Sequence, residues 1–331
     1  MIFFNMMQRI GDEMQASTGA LSLPGPSPEI LDLCMAPGGY SASALKCNPS
    51  ALVAGLTLHP SLGGHQILIP YGRRDLRVDV LFTDITMLAT ELGVEDIPEA
   101  HPEFASFSRE RLWAGRSFDL VFCDGQVLRA HKPYRASYRE PSEATRLTCS
   151  QLSMAMQRIK PGGTFIMLLH KIDSWRTIKL LSQFDSFAQI ELFKPLTAHR
   201  TRSSFYLIAK SVQPYQVEAL VAIEEWKATW KMATFRPLVT EEPGQSPDSI
   251  EQEVRDGQVA RVLASFGEKV IVLGELVWQI QSNALKEAPW CKNEEAKARD
   301  ESARADLALA SNVSGGSLEL DLGMRSLDIS N

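Results

Sequence analysis

Residues 30–45 read Ile30-Leu31-Asp32-Leu33-Cys34-Met35-Ala36-Pro37-Gly38-Gly39-Tyr40-Ser41-Ala42-Ser43-Ala44-Leu45. Ile30 to Leu33 is an apolar run of buried-strand length, broken only by Asp32. Ala36-Pro37-Gly38-Gly39 turns the chain, and Tyr40 to Leu45 predicts the first turns of a helix. Strand, glycine turn and helix N-terminus together make a ligand platform. Glycine lets backbone approach a ligand closely, and free N–H groups at the positive end of the helix dipole attract its anionic part. Asp32, an acid at the strand's carboxyl end, suits a ligand that also carries an ammonium group. The turn does not fit the Gly-x-Gly-x-x-Gly fingerprint of nicotinamide dinucleotide sites.

Working outward, the same alternation of apolar runs and turns recurs. Residues 5–16 predict a helix with Met6, Ile10 and Met14 on one face, followed by a Gly/Ser/Pro-rich loop from Ser17 to Pro28. Ala51 to Leu58 predicts a second strand, with Thr57 where cofactor folds place a polar ribose contact. Val78 to Phe82 predicts a third, and Asp84 suits the N-cap of a helix from Thr86 to Leu92. Phe118 to Cys123 is near-continuously apolar, as in a strand covered on both faces, and delivers Asp124 to the carboxyl edge where α/β sheets bind ligands. An amphipathic helix from Glu143 to Arg158 ends at Lys160-Pro161-Gly162-Gly163. A strand from Thr164 to Leu169 then leads to His170, read as local packing, and Lys171. Trp175 to Phe184 predicts a helix, and Ala188 to Phe193 and Phe205 to Lys210 predict strands.

The segment Gln126 to Arg146 carries Arg129, His131, Lys132, Arg135, Arg139 and Arg146, interleaved with Tyr134 and Tyr138. Basic side chains with aromatics beside a site edge suit single-stranded RNA, through phosphate contacts and base stacking. Beyond residue 212, Leu220, Ile223, Trp226 and Trp230 share one helical face. Val259 to Phe266 and Val270 to Ile280 predict two further helices that offer a surface for a protein partner. Glu294 to Ala310 predicts a charged helix, and Ser311 to Asn331 a disordered tail.

The whole chain of 331 residues has a formal net charge of −6, but residues 241–331 hold 17 acidic and 9 basic side chains, leaving 23 acidic against 25 basic in residues 1–240. The acidity therefore belongs to the C-terminal part, and the part carrying the motifs is mildly basic. No apolar run approaches the roughly 20 residues of a membrane helix. Five scattered cysteines without metal-ligand spacing, and a start without a basic signal-peptide region, predict a reduced intracellular setting, cytoplasmic or nuclear, and no metal.

Three stretches carry a family resemblance: Asp32-Leu33-x-x-Ala36-Pro37-Gly38-Gly39-Tyr40-Ser41, then Asp119-Leu120-Val121-x-x-Asp124-Gly125, then Lys160-Pro161-Gly162-Gly163-x-Phe165 running to Lys171. Together they resemble the FtsJ-like ribose 2′-O-methyltransferases of RNA, over residues 29–211. The resemblance implies a doubly wound, Rossmann-like α/β methyltransferase sheet, mostly parallel with an antiparallel last strand. Residues 1–28 would form an N-terminal helix and loop, residues 212–290 a helical C-terminal extension, and residues 291–331 a charged helix and tail. It implies S-adenosyl-L-methionine (SAM) as cofactor, held by Asp32, Ala36, Pro37, Gly38, Gly39, Tyr40 and Thr57, with Asp84 on the adenine amine. It implies RNA as partner, contacted by Arg129, Lys132, Arg135 and Arg139.

The family's catalytic Lys-Asp-Lys-Glu tetrad maps only in half. Asp124 and Lys171 match, while Asn5 and Ser204 stand where the first lysine and the glutamate belong. Methylating a ribose hydroxyl requires in-line placement of donor and acceptor and a group to handle the leaving proton. Asp124 orienting Lys171 as base or alkoxide stabiliser is the reading the resemblance supports. A relative that binds SAM or RNA with weak or no catalysis is the alternative, and a small-molecule methyltransferase a third.

Overall fold

The computed structural model describes residues 1–235 and 249–290, with side chains for 1–128, 131–235 and 256–290. The chain divides into a unit of residues 1–281 and a second of residues 282–331, and every strand belongs to the first. The segments expected to be a charged helix (294–310) and a disordered tail (311–331) lie outside the described residues.

Seven strands, β1 (Glu29–Leu33), β2 (Leu52–Thr57), β3 (Val78–Phe82), β4 (Phe118–Cys123), β5 (Ile159–His170), β6 (Gln189–Phe193) and β7 (Ser204–Val212), form one sheet in the order β3-β2-β1-β4-β5-β7-β6. Strands β1 to β5 pair in parallel, and β7 runs antiparallel to both of its neighbours. The sheet is therefore the mixed, doubly wound one that the sequence predicts. Side chains alternate across it. Leu31, Leu33, Val121, Phe165, Met167, Phe205 and Leu207 face one core, packed against α3 (Glu143–Arg158), α4 (Trp175–Phe187) and α5 (Val217–Phe235). Ile30, Leu120, Phe122, Ile166, Tyr206 and Ile208 face the other, under α1 (Ile2–Thr18) and α2 (Gly39–Cys47).

Three expectations change. The helix expected over Thr86–Leu92 is a single 3-10 turn, Ile85–Met87, with Asp84 accepting from Thr86 N–H at 2.9 Å as its cap. Turns follow it because Leu88 bridges to Ser108 rather than continuing a helix. The two helices expected over 259–280 are one helix, α6 (Ser249–Lys286), whose Phe266, Val270 and Val277 form one buried stripe. In α5 the buried face runs through Ala219, Ala222, Ile223, Trp226 and Trp230, and Leu220 is exposed. No helix among the described residues is long and apolar enough to cross a membrane.

Candidate active site

The strand order reverses between β1 and β4, whose neighbours lie on opposite sides, so their connections leave a crevice at the carboxyl edge. A cavity of about 760 Å³ occupies it. Its floor comes from the ends of successive strands: Cys34 and Ala36 after β1, Thr57 and Leu58 at the end of β2, Thr83 and Asp84 after β3, Asp124 and Gly125 after β4. Leu168 and His170 of β5 and Ser204 and Tyr206 of β7 extend it. Leu56, Ile85, Met87 and Leu147 supply apolar wall, and Phe3, Met6 and Met7 of α1 close one side. Among the described residues no group of His, Cys, Asp and Glu is clustered so as to hold a metal ion.

Asp124 is the acid left open. Its Oδ1 is buried and has no hydrogen-bond partner. Burial, and then the charge of Asp32, push its carboxyl well above the usual range. Above it Tyr40 and Tyr206 share a hydroxyl–hydroxyl hydrogen bond, and Tyr40 stacks on Phe122 with ring centres 5.7 Å apart. Burial and then Asp124 raise both phenols, so both stay protonated.

Asp32 is placed differently from expectation. It is 1% exposed, lies outside the cavity wall, and accepts the Ser41 hydroxyl at 2.5 Å. Burial raises it to about 7, against the opposing pull of Ser41. It ties the strand to the first turn of α2, and so acts beneath the site rather than on an ammonium group. The glycines, too, have a packing cause. Gly38 has φ +95°, and a Cβ there would meet Ile69 Cγ2 at 2.7 Å. A Cβ on Gly39 would meet Met7 Cβ at 2.4 Å and the Phe4 carbonyl at 2.7 Å, because α1 crosses there. Of the turn, Ala36 and Tyr40 line the cavity; Pro37, Gly38 and Gly39 do not.

At the β3 end the cavity is wired by ion pairs. Asp84 Oδ1 caps the 3-10 turn, and its Oδ2 accepts from Arg139 at 2.9 Å. Arg139, 6% exposed, also pairs with Glu143 at 2.7 Å and Glu103 at 3.4 Å. Burial acts to lower its pKa, but Asp84 and Glu143 outweigh that and raise it. Arg146, fully buried, binds Glu143 at 3.2 Å, the Thr86 carbonyl at 3.3 Å and Thr234 Oγ1 at 3.1 Å, and Trp230 Nε1 donates to that carbonyl at 3.1 Å. Helix α5 thus braces the loop that presents Asp84. Arg139 is accordingly a structural hub and not an open phosphate contact, a correction that follows from three carboxylates converging on it.

A model of the FtsJ-like methyltransferase family matches residues 12–212, more than half of the chain. The chain belongs to the FtsJ-like methyltransferase family. No curated protein matches it significantly. Among solved structures it is similar to one described as a ribosomal RNA methyltransferase from Plasmodium falciparum, at 16% identity and TM-score 0.39, covering 61% of this chain and 93% of that one. It is similar to an rRNA methylase from Streptococcus thermophilus, at 10% identity and TM-score 0.35, covering 60% and 96%. It is also similar to human methyltransferase-like protein 13 in complex with SAH, at 13% identity and TM-score 0.34, covering 76% and 96%.

Within this FtsJ-like chain one member of the expected catalytic pair, Asp124, lines the cavity and the other does not. Lys171 is exposed and outside the cavity wall. On β5 the residues facing the α1/α2 side are even-numbered, Ile166 and Leu168, then His170. Lys171 falls on the odd side and has φ +50°, a turn conformation that leaves the strand's period. No lysine lines the cavity among the described residues. Asn5 is exposed, since α1 turns Phe3, Met6 and Met7 to the cavity instead. Ser204 does line it. Of the expected RNA contacts, Arg135 lines the cavity beside Tyr134 and His131. Lys132 is outside, paired with Glu140 at 3.1 Å, and the Arg129 side chain lies outside the described residues.

His170, read from sequence as local packing, lines the cavity, as do His199 and Arg202, to which the sequence assigned no site role, with Lys194 buried behind them. The only signal was the basic composition of the turn before β7, which gives no direction for its side chains.

Proposed function

We propose that this chain is a SAM-dependent methyltransferase acting on RNA, at a ribose 2′-hydroxyl. The observation that carries the reading is the partnerless Asp124 Oδ1, buried in a cavity at the switch point of a methyltransferase sheet. A buried polar atom without a partner is uncommon and marks where a ligand donor belongs. Cavity size and lining, apolar walls with a few convergent polar groups, fit a nucleoside-sized ligand. Thr57 and Asp84 would hold the adenosine end of SAM, between Leu56, Ile85 and Met87, while Ala36 and Tyr40 border its amino-acid end. When bound, SAM supplies an electrophilic methyl on a sulfonium. The residues of this chain then have two tasks: Asp124 accepts a hydrogen bond from the hydroxyl or from the donor's cationic end, and Tyr134 and Arg135 receive the RNA strand.

A second reading is favoured by one specific observation, the absence of any lysine from the described cavity wall. A member that binds SAM and RNA with weak or no transfer fits that wall equally well. Titration calorimetry with SAM on the wild type and on Asp84→Ala tests the shared part. Micromolar binding weakened at least tenfold in the variant supports the donor site, and no binding by folded wild type overturns both readings. Transfer of labelled methyl to an RNA pool, lost in Asp124→Ala, selects the first reading. Tight SAM binding without transfer selects the second.

A further inference from the structure

At the β5–β7 end of the cavity three cationic or ionisable side chains converge. His170 closes β5 and is the cross-strand partner of Ser204, the first residue of β7. His199 and Arg202 belong to the turn that enters β7, closed by the Arg202 N–H donating to the His199 carbonyl at 2.9 Å. All three line the cavity. Behind them Lys194, 3% exposed, donates from Nζ to the carbonyls of His199 (3.2 Å), Arg202 (2.6 Å) and Ser204 (2.7 Å). That buried ammonium fixes the turn and adds positive charge beneath it. His199 sits at φ +55°, so the turn is held in one unusual backbone conformation.

The sign of the surroundings matters most. Burial, then Arg202 and Lys194, lower His170, and the same groups together with His170 lower His199. Among the described residues no carboxylate contributes to either. Gln126, on the β4 side, meets His170 Nε2 at 3.2 Å as a neutral partner. Glu13 of α1 reaches this turn but spends its oxygens on the Leu196 N–H and the Thr197 hydroxyl. At the other end of the same cavity the buried Arg139 and Arg146 both meet carboxylates. Here Arg202 and the buried Lys194 face two imidazoles whose protonation they and burial oppose, an opposition relieved when an anion enters.

We propose that His170, His199 and Arg202 form a phosphate site that receives a backbone phosphodiester of the RNA strand, one step along from the nucleotide held at Asp124. This rests on the RNA reading above. It adds a second anchoring point, distinct from Tyr134 and Arg135 across the cavity, so that the strand spans the carboxyl edge of the sheet from β4 to β7. Binding draws protons onto the two histidines, so affinity rises as pH falls from about 8 toward about 6. The groups facing the histidines are Arg202, Lys194 and Gln126, and none of these changes charge in the sense that would reverse that slope.

The test uses the full chain, Arg202→Gln and His199→Gln, with unfolding midpoints as the folding control. Inorganic phosphate titrated into the wild type should shift the ring proton resonances of His170 and His199 and raise their titration midpoints, and Arg202→Gln should remove the response. A fluorescently labelled oligoribonucleotide should bind the wild type about five- to tenfold more tightly than either variant, with a salt slope larger by about one. Histidine resonances unmoved by tens of millimolar phosphate overturn the site. Phosphate binding with equal oligoribonucleotide affinity for wild type and variants overturns RNA as its source. Failure of the SAM titration would instead strike the methyltransferase reading, because no SAM contact is assigned to these three residues.

Discussion

The two ends of the cavity are built on opposite principles. At the β3 end Arg139 and Arg146 are buried and matched by Asp84, Glu103 and Glu143, with α5 sealing the network through Trp230 and Thr234. From the end of β4 to β7, Asp124 keeps an oxygen without a partner, and among the described residues the side chains of His170, His199 and Arg202 face each other, a lysine and an amide. Charges matched within the protein fix the loop that borders the donor end. Charges left unmatched are available to a ligand, and they are tolerated because the sheet around them holds their geometry. The contrast separates what the fold needs from what binding needs.

The largest effect expected is at the matched end. Arg146→Ala strips a fully buried cation and leaves Glu143 half served, which should cost about 3–5 kcal/mol in denaturant unfolding. Arg202→Ala, exposed and without a carboxylate partner among the described residues, should stay within about 0.5 kcal/mol. Equal losses would erase the distinction between the ends.

Asp32 comes next, with a signature in pH. Its native value of about 7 stands above the ordinary 3.8, so the folded state holds the proton more tightly than the unfolded one. Stability from this group is therefore complete below about pH 4 and is lost as pH rises to about 7. Asp32→Asn keeps an acceptor for Ser41 and removes that slope. Relative to wild type it should gain on the order of 4 kcal/mol between about pH 4 and about pH 8. Unfolding curves at several pH values that stay parallel would show that Asp32 is not the buried proton-binding group.

The sheet was legible in the sequence because its parallel strands are short apolar runs, and the buried Phe118–Cys123 and the edge strand Val78–Phe82 have the bounds expected. Helix α3 was legible too from its amphipathic period, although the glycine pair expected to end it lies within β5, which begins at Ile159 directly after the helix. The site was less so. Lys171 was named because the Lys160-Pro161-Gly162-Gly163-x-Phe165 run leading to it resembles the family's lysine-bearing strand, but its own left-handed backbone turns it off the strand's period, and no pattern announces such a residue when it is not glycine. Arg139 looked like a phosphate ligand because its three carboxylates lie 55, 36 and 4 positions away, and only folding brings the first two near. Gly39 looked like a ligand contact because a glycine needed for helix packing and one needed for a ligand are the same letter.

That last ambiguity has its own test. Gly39→Ala places a methyl group against Met7 and the Phe4 carbonyl, so α1 must move, at a cost of about 1–3 kcal/mol. Because Phe3, Met6 and Met7 wall the cavity, SAM affinity should fall with stability. Removing the Met7 Cβ with Gly39→Ala/Met7→Gly should recover neither fully, since the Phe4 carbonyl remains. A Gly39→Ala protein of unchanged stability and lower SAM affinity would instead make the glycine a direct ligand contact.

The smallest effect expected is at Lys171, and it decides most about the chemistry. Its ordered contacts are backbone ones: its N–H donates to the Ser203 carbonyl at 3.1 Å and its carbonyl accepts from Ser174 at 3.0 Å. Lys171→Ala keeps both, and alanine meets the left-handed backbone with the same Cβ that lysine has. Unfolding free energy should move by less than about 0.5 kcal/mol. SAM affinity should hold, and any methyl transfer should proceed at the wild-type rate with an unaltered pH profile, whereas Asp124→Ala should abolish it. A large drop in transfer at unchanged SAM affinity would mean that ligand binding carries this lysine over the strand end into the cavity. The proton would then leave through Lys171, and the β5–β7 end would be incomplete until substrate arrives.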